Sequence, residues 1–240
     1  MPPIRAALRE HHRVYQRGMD WESLRGDTTF CAGAEPGPLV VEVGEKIKSI
    51  PGWLTTDDCG HFALVLRLQS AFGLRGDLVE IGTYHGRSAA VLAHFLEEGE
   101  QLVLCDWFGD APDGLYPAPP TPAILRRNLA VIRPSLRDDQ IELHAGASET
   151  LRLSRPVRFA HVDGGHSSAE TLADLRRVDE RLLSRGVIAV DDYHHRAFPE
   201  VTVAADRFLS ERPDYHVLAD LNRHGAVGRK LYLQKLSSSD

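Results

Sequence analysis

The sequence contains little cysteine, and it lacks the long apolar runs and basic blocks that characterise several classes of protein. Its 240 residues include three cysteines, Cys31, Cys59 and Cys105, and none of them forms a Cys-x-x-Cys pair. An odd number of scattered cysteines argues against a disulfide framework and favours free thiols in a reducing compartment.

No stretch of the chain is long and apolar enough to span a bilayer, and residues 2–12 lack the apolar core of a signal peptide. The formal net charge is −6, and the 28 Lys and Arg residues are scattered. These features argue against nucleic acid or an anionic membrane as the main partner. With 42% hydrophobic and 26% charged residues, we expect a globular protein of the cytoplasm.

Short apolar runs alternate with amphipathic segments through most of the chain. The predicted strands cover 77–82, 101–106, 141–146, 157–163, 187–192, 215–220 and 228–236, and predicted helices cover 57–74, 87–99, 168–186 and 198–212. Strands that alternate with helices in this way indicate parallel β-α-β units. We therefore predict an α/β, Rossmann-like doubly wound fold: a mostly parallel seven-stranded sheet that ends in a hairpin, with helices on both faces.

Two segments differ from this alternating pattern. Residues 1–50 are irregular, with a Gly/Pro-rich turn at 32–38, and we interpret residues 1–56 as a cap or lid segment, helical or partly mobile, ahead of a main domain at 57–240. The connection at 106–122 is long and rich in Pro, Gly and aromatic residues. Such loops are often binding loops or lids.

The first predicted strand joins its helix through a glycine-containing loop, VEIGTYHGRSAA. Gly82 and Gly86 let the backbone approach a ligand, and Ser88 is placed to cap the helix. A dinucleotide fingerprint needs a glycine two residues after the first, and here that place is Tyr84. Glu80, just before the loop, would repel a pyrophosphate. The loop therefore favours a cationic ligand.

S-adenosylmethionine (SAM) is such a ligand, because it carries a sulfonium, an ammonium and one carboxylate but no phosphate. Asp106, at the end of the second strand, can accept hydrogen bonds from both ribose hydroxyls, and Trp107 can pack on the adenine. Ser148 follows the third strand, where the adenine edge lies in this topology. An NAD-dependent oxidoreductase remains an alternative, which would explain the glycine loop but not the acidic residues described next. A non-catalytic module that binds SAM or a metal is another.

Three aspartates follow two strands that we expect to be neighbours in the sheet. Asp163 ends the fourth predicted strand, and Asp191 and Asp192 end the fifth. Three carboxylates so close together would repel one another, and a hard divalent cation would relieve that repulsion. Oxygen ligands favour Mg²⁺, or Mn²⁺ and Ca²⁺, over zinc. We therefore predict a metal site formed by these three aspartates.

Histidines lie close to the predicted metal ligands. His166, three residues after Asp163, can take the proton of a substrate hydroxyl as general base, and the metal-bound carboxylate of Asp163 is the alternative. His194 and His195 can line the substrate pocket. The sequence His161-Val162-Asp163 also matches the H-x-D pattern of non-haem iron oxygenases, but those triads usually lie on antiparallel barrels.

Taken together, the segments VEIGTYHGRS, LCDWFGD, FAHVDGGHS and GVIAVDDYHH, preceded by IPGWLT, resemble the class I SAM-dependent methyltransferases. Within that class the chain resembles the metal-dependent sugar O-methyltransferases of the macrocin O-methyltransferase type, over about residues 47–236. The resemblance implies a SAM site formed by Glu80, Gly82, Tyr84, Gly86, Ser88, Asp106, Trp107 and Ser148, and a Mg²⁺ site formed by Asp163, Asp191 and Asp192.

The resemblance also implies the reaction and the acceptor. The expected reaction is Mg²⁺-dependent methyl transfer to a hydroxyl of a small molecule, most naturally a sugar of a glycosylated natural product, as in antibiotic biosynthesis. A catechol-type acceptor is the alternative. Catechol O-methyltransferases have a basic residue three positions after an acidic ligand, and His166 stands at that position here. A homo-oligomer is compatible with such a family.

Overall fold

The computed structural model describes residues 36–109, 119–223 and 227–236. The chain divides into two compact units, Met1–Leu39 and Val40–Asp240. The helices are α1 (Pro36–Ile47), α2 (Thr56–Ala71), α3 (Arg87–His94), α4 (Pro122–Ile132), α5 (Ser168–Asp179) and α6 (Pro199–Glu211). The strands are β1 (Asp77–Ile81), β2 (Leu102–Asp106), β3 (Ile141–Ala145), β4 (Val157–Val162), β5 (Leu182–Tyr193), β6 (Tyr215–Asn222) and β7 (Arg229–Lys235).

The seven strands of the described chain form one sheet in the order β3-β2-β1-β4-β5-β7-β6. Strands β1 to β5 are parallel, and β7 pairs antiparallel with both β5 and β6. This confirms the predicted Rossmann-like, mostly parallel sheet with a final hairpin. Because parallel strands end at the same edge, the carboxyl ends of β1, β2, β4 and β5 all lie at one edge of the sheet.

Helices cover both faces of the sheet, and each face has its own hydrophobic core. On one face Phe62 of α2 and Leu92 of α3 pack with Phe159 of β4. On the other face Leu175 of α5 and Phe208 of α6 pack with alternate residues of the same strands. Complete burial of such a side chain stabilises the fold by about 1.5–3 kcal/mol. Glu80, on the same face as Phe62, is therefore a charged residue in an apolar layer.

Three predicted elements differ from the structure by more than three residues at one end, and one of them is the helix predicted at 87–99, which ends at His94. The helix predicted at 168–186 ends at Asp179, and β5 begins at Leu182 rather than at residue 187. The reason is tertiary, because Leu182 is buried and pairs with Val157 of β4. Helix α1 lies within the predicted cap segment. Pro36 and Pro38 are compatible with a helix there, because they occupy its first turn.

Several other predictions concern the thiols, the membrane and the domain division. Cys59 and Cys105 are free, and burial raises the pKa of their thiols to about 11 and about 12. Within the described residues, no helix is long and apolar enough to cross a membrane.

The predicted boundary between a cap segment at 1–56 and a main domain at 57–240 stays a prediction. Cys31, residues 1–35 and most of the 106–122 connection lie outside the described residues.

Candidate active site

The loop between β1 and α3 packs directly against the end of β4. Gly82 and Gly86 have φ values of 85° and 83°. A Cβ atom at Gly82 would overlap the carbonyl oxygen of Asp163, and one at Gly86 would overlap Leu125 of α4. The Asp163 N–H also donates to the carbonyl of Ile81 (2.8 Å). The glycines are therefore required by chain packing, in addition to any approach of a ligand.

Asp106 is held beneath this loop. The backbone N–H of Tyr84, which has a φ of 48°, donates to Oδ2 of Asp106 at 2.7 Å, and the N–H of Phe108 donates to Oδ1 at 3.4 Å. Trp107 beside it is exposed, and Ser148 begins a short 3₁₀ turn after β3. The carboxylate of Asp106 thus has a fixed orientation at the carboxyl end of β2.

The segment before α2 folds over the same loop. Arg87, the first residue of α3, donates from Nε to the carbonyl of Ile50 (2.6 Å) and from a terminal nitrogen to the carbonyl of Leu54 (3.3 Å). The Trp53 ring lies 5.1 Å from the Tyr84 ring, centroid to centroid. This fixes the Pro51–Leu54 stretch against the glycine loop.

A cavity lies between that stretch, the glycine loop and the ends of β4 and β5. Its lining includes Trp53, Tyr84, Ser88, Asp163 and Asp191. The sequence predicts that Ser88 caps α3, but in the structure Gly86 occupies the N-cap position. Ser88 instead lines the cavity. One cavity therefore joins part of the predicted cofactor loop to two of the predicted metal ligands.

The two adjacent aspartates at the end of β5 do not follow a regular strand. Neighbouring residues of a regular strand point to opposite faces. Here the pairing of β5 with β7 shifts register between Val190 and Tyr193, and Asp192 has a φ of 54°. Such bulges re-aim side chains. As a result Asp163 has carboxylate oxygens within 4.8 Å of oxygens on both Asp191 and Asp192.

The three carboxylates nevertheless differ in their surroundings. Asp191 Oδ2 lies 2.8 Å from Nζ of Lys230, and Oδ1 lies 2.8 Å from a guanidinium nitrogen of Arg223. Although burial opposes it, the charge of Lys230, together with His161 and Arg223, holds the pKa of Asp191 well below its usual value. For Asp163 the direction is opposite, because burial and then the charge of Asp191 raise the pKa well above its usual value.

His161 contacts side chains of two other strands of the sheet through its two ring nitrogens. Its Nδ1 lies 2.7 Å from Oε1 of the buried Glu80, and its Nε2 lies 2.9 Å from Nζ of Lys230. Both ring nitrogens therefore have partners, and the sheet is mostly parallel. Neither feature fits the iron-oxygenase alternative for His161 and Asp163.

His166 is held by two different contacts. Its Nε2 lies 3.2 Å from Oδ2 of Asp192. Its ring stacks on Phe198 with centroids 3.8 Å apart and an interplanar angle of 11°, and His195 stacks on Phe198 at 4.6 Å and 20°. His194 is exposed, and its backbone N–H donates to Thr202. Of the predicted histidines, His166 is the one closest to the carboxylates.

Residues 79–193 match the family described as methyltransferase domain. This segment, a little under half of the chain, is similar to methyltransferase domains, and the sheet has the Rossmann-like methyltransferase fold. The fold of the chain is similar to that of the O-methyltransferase NovP, with a TM-score of 0.59 and 17% identity over 76% of this chain and 81% of that one. It is also similar to the Bacillus cereus O-methyltransferase in complex with SAH (TM-score 0.57, 16% identity, 90% and 97% covered).

A third solved structure of the same fold is CalS11, a TDP-rhamnose 3'-O-methyltransferase of calicheamicin biosynthesis. The TM-score is 0.52 and the identity 16%, over 82% of this chain and 92% of that one. No curated protein sequence matches this chain significantly. The family match of residues 79–193 favours the methyltransferase interpretation of the glycine loop over the dehydrogenase alternative.

The end of the sheet at Asp163 and Asp192 contains donors that fit a divalent cation. Ligand atoms of Asp163, His166 and Asp192 lie within 4.8 Å of one another, as do those of His161, Asp163 and Asp191. In the second group, His161 and Asp191 already contact Lys230, and Asp191 also contacts Arg223. The first offers two carboxylates, and Mg²⁺ is commonly bound through one or two carboxylates with water and substrate completing the shell.

Several residues of the site were not identified from the sequence. Phe198, Arg223 and Lys230 belong to none of the motifs, and Arg87 lies in VEIGTYHGRS but was given no role; the site contacts of all four, with Ile50, Leu54, His166 and Asp191, join residues distant in the chain. Asp58 had a recognisable signal, because Thr55 and Asp58 form a capping box at the start of α2. That signal predicts a helix start, and it does not predict the ion pair between Asp58 and Arg223 (3.4 Å).

Proposed function

We propose that the protein transfers the methyl group of SAM to a hydroxyl of a small molecule, assisted by a divalent cation, with Mg²⁺ expected. The observation that carries this proposal is that Tyr84, Ser88, Asp163 and Asp191 line the same cavity. A methyl donor held by the glycine loop would face an acceptor held at the ends of β4 and β5. Proximity of that kind is the main source of rate in a direct transfer.

The proposed SAM site follows the carboxyl ends of β1, β2 and β3. The fixed carboxylate of Asp106 supports its role as acceptor for the ribose hydroxyls, and the exposed ring of Trp107 supports packing on the adenine. The other proposed SAM residues are Glu80, Gly82, Tyr84, Gly86, Ser88 and Ser148. Glu80 contributes negative charge beneath the loop, where SAM is cationic.

The proposed cation site is the acidic cluster of Asp163, Asp191 and Asp192, in which Asp163 and Asp192 are the best-placed ligands. A bound cation would stabilise the developing charge on the acceptor oxygen and orient it. We assign the general base to His166. Its imidazole takes the hydroxyl proton while the oxygen attacks the methyl carbon, and the C–S bond breaks to release S-adenosylhomocysteine.

Two contacts prepare His166 for that role. Phe198 fixes the plane of the ring, and Asp192 lies 3.2 Å from Nε2, where it would stabilise the imidazolium that forms. A carboxylate that orients a histidine in this manner is the usual partner of a histidine base. No covalent enzyme intermediate is needed, so positioning and charge stabilisation supply most of the catalysis.

For the acceptor we propose a sugar hydroxyl of a natural product, with a catechol-type phenol second. The family resemblance supports this order, and one protein of the same fold is named as a TDP-rhamnose 3'-O-methyltransferase. The small-molecule class also agrees with the net charge of −6, which disfavours nucleic acid.

The test combines binding and transfer. Calorimetric titration with SAM and with NAD⁺, each with Mg²⁺ and with EDTA, should show SAM binding that survives EDTA. Radiolabelled methyl transfer from SAM should then be measured with TDP-rhamnose, a phenolic glycoside and catechol. Asp192→Asn should lose transfer and keep SAM binding, whereas Asp138→Asn, at an exposed position, should keep both. Binding of NAD⁺ without SAM would refute the proposal.

A further inference from the structure

The C-terminal hairpin brings a buried ammonium group into the acidic cluster. Lys230 of β7 is completely buried. Its Nζ lies 2.8 Å from Asp191 Oδ2, 2.9 Å from His161 Nε2 and 3.9 Å from Asp58 Oδ1. A lysine buried in this way must be paired, and Asp191 is its nearest carboxylate.

Arg223, after β6, completes a balanced group of four charges. Its guanidinium lies 2.8 Å from Asp191 and 3.4 Å from Asp58. Each cation, Lys230 or Arg223, therefore contacts both carboxylates, Asp58 and Asp191. Oδ1 of Asp191 also accepts the backbone N–H of Asp192 at 2.8 Å. Both oxygens of Asp191 are thus used by the protein itself.

Asp163 and Asp192 stand outside this balanced group. Within the described part of the chain, no Lys or Arg nitrogen lies within 4 Å of the Asp163 carboxylate, and the partner found for Asp192 is His166. With a divalent cation bound, both carboxylates would be ionised, and their two negative charges would balance it.

We propose that Lys230 is a positioning residue whose ammonium group neutralises Asp191 in place of a bound cation. Because Asp191 pairs with Lys230, it is not a metal ligand, and the divalent cation binds to Asp163 and Asp192 alone. The inference rests on the cation site of the proposed function and goes beyond it, because it separates the three aspartates into two ligands and one residue paired with lysine.

Removal of the ammonium has a defined consequence. In Lys230→Met, Arg223 would remain beside Oδ1 of Asp191, and Nε2 of His161 would remain 3.5 Å from Oδ2, but Oδ2 would lose its nearest positive charge and could face the cation. Three carboxylates attract a divalent cation more strongly than two. We therefore expect the affinity for Mn²⁺ to rise at least about tenfold, because the affinity of such a site increases with the number of charged ligands, as it does in calcium sites. Lys230→Arg keeps the positive charge and should bind Mn²⁺ like the wild type.

The experiment is a Mn²⁺ titration of the metal-free, full-length protein, in which electron paramagnetic resonance measures the free ion. The five proteins are the wild type, Lys230→Met, Lys230→Arg, the double variant Lys230→Met/Asp191→Asn and Asp192→Asn. The double variant removes the pair together, and such replacements are tolerated better than loss of one partner. We expect it to bind Mn²⁺ within about threefold of the wild type, because the two proposed ligands, Asp163 and Asp192, are unchanged. Comparison of the single and double variants then measures the coupling between Lys230 and Asp191.

Two results would overturn the inference. One is a folded Lys230→Met protein whose Mn²⁺ affinity is unchanged or weaker. The other is loss of Mn²⁺ binding in the double variant to the level of Asp192→Asn, which would make Asp191 a ligand. If Lys230→Met does not fold, the double variant decides alone.

The same data separate this inference from the proposed function. If neither the wild type nor Lys230→Met binds Mn²⁺, the proposed cation site and the role of Lys230 fail together. If the Mn²⁺ series behaves as expected but no acceptor is methylated, Lys230 keeps its role and only the proposed reaction fails.

Discussion

Gly82, at the end of β1, packs against the carbonyl oxygen of Asp163, after β4, with no room for a Cβ atom between them. This contact joins the proposed cofactor loop to the proposed cation site. A side chain at position 82 would separate the two strand ends, and Asp163 would move with them.

We therefore expect Gly82→Ala to destabilise the protein strongly. Its matched control is Gly99→Ala, since Gly99 has a similar φ of 81° but open space around its Cβ position. The control should cost about 1 kcal/mol, the usual penalty of a positive φ. Gly82→Ala should add at least about 2 kcal/mol, typical of overpacking. Urea unfolding of both variants measures the difference, and equal losses would contradict the close contact.

Asp106 should control SAM affinity. Its carboxylate accepts the Tyr84 N–H at 2.7 Å and is proposed to accept the ribose hydroxyls. A hydrogen bond to a charged group contributes about 1.5–3 kcal/mol, so Asp106→Asn should weaken SAM binding roughly ten- to a hundredfold. Calorimetry with SAM checks this. Asp139→Asn, at an exposed aspartate before β3, should bind SAM normally, and equal affinity of both variants would exclude Asp106 from the site.

Arg87 should stabilise the Pro51–Leu54 stretch over the glycine loop. Arg87→Met loses the donors to the carbonyls of Ile50 and Leu54, so that stretch should separate from Tyr84. We expect SAM binding to weaken about tenfold, equivalent to about 1.4 kcal/mol. Trp53 fluorescence should also change on substitution. Arg75→Met removes an exposed arginine whose carbonyl contacts are local, and it should change neither signal. Unaltered SAM affinity in Arg87→Met would show that the stretch is held in other ways.

Asp174 should make stability depend on pH. Burial is the main cause that raises its pKa to about 6, and Ser148 and Arg177 oppose the shift only in part. An acid with a raised pKa in the folded state stabilises the fold below its ordinary pKa, and this contribution is lost as the pH rises towards 6. Asp174→Asn should therefore be more stable than the wild type at about pH 7.5, by about 1–3 kcal/mol.

The difference should shrink at about pH 4.5, where Asp174 is largely protonated in the folded protein. Urea unfolding at the two pH values measures it. Asp138→Asn, which changes an exposed aspartate, should show no such dependence on pH. A wild-type protein that is more stable than Asp174→Asn at neutral pH would mean that Arg177 offsets the burial of the carboxylate.

The sequence by itself determined the architecture and the general position of the site. Strands that alternate with helices pack as parallel β-α-β units, so the sheet, and the edge at which its strands end, follow from the local sequence pattern. Asp106, Asp163 and Asp191 lie at that edge because each follows an apolar run. The boundary of α5 could not be read in this way, because Leu182 belongs to β5 only through its pairing with Val157.

Only the tertiary structure decided how the charges are distributed within the site. The bulge at the end of β5 re-aims Asp192, and it depends on the antiparallel partner β7, which comes later in the chain. Lys230 and Arg223 reach Asp191 from that same hairpin, and no local pattern of sequence records a contact across 39 residues. Three aspartates that look equivalent in sequence therefore differ in the fold, because the pKa and the free oxygens of each depend on which cations the sheet places beside it.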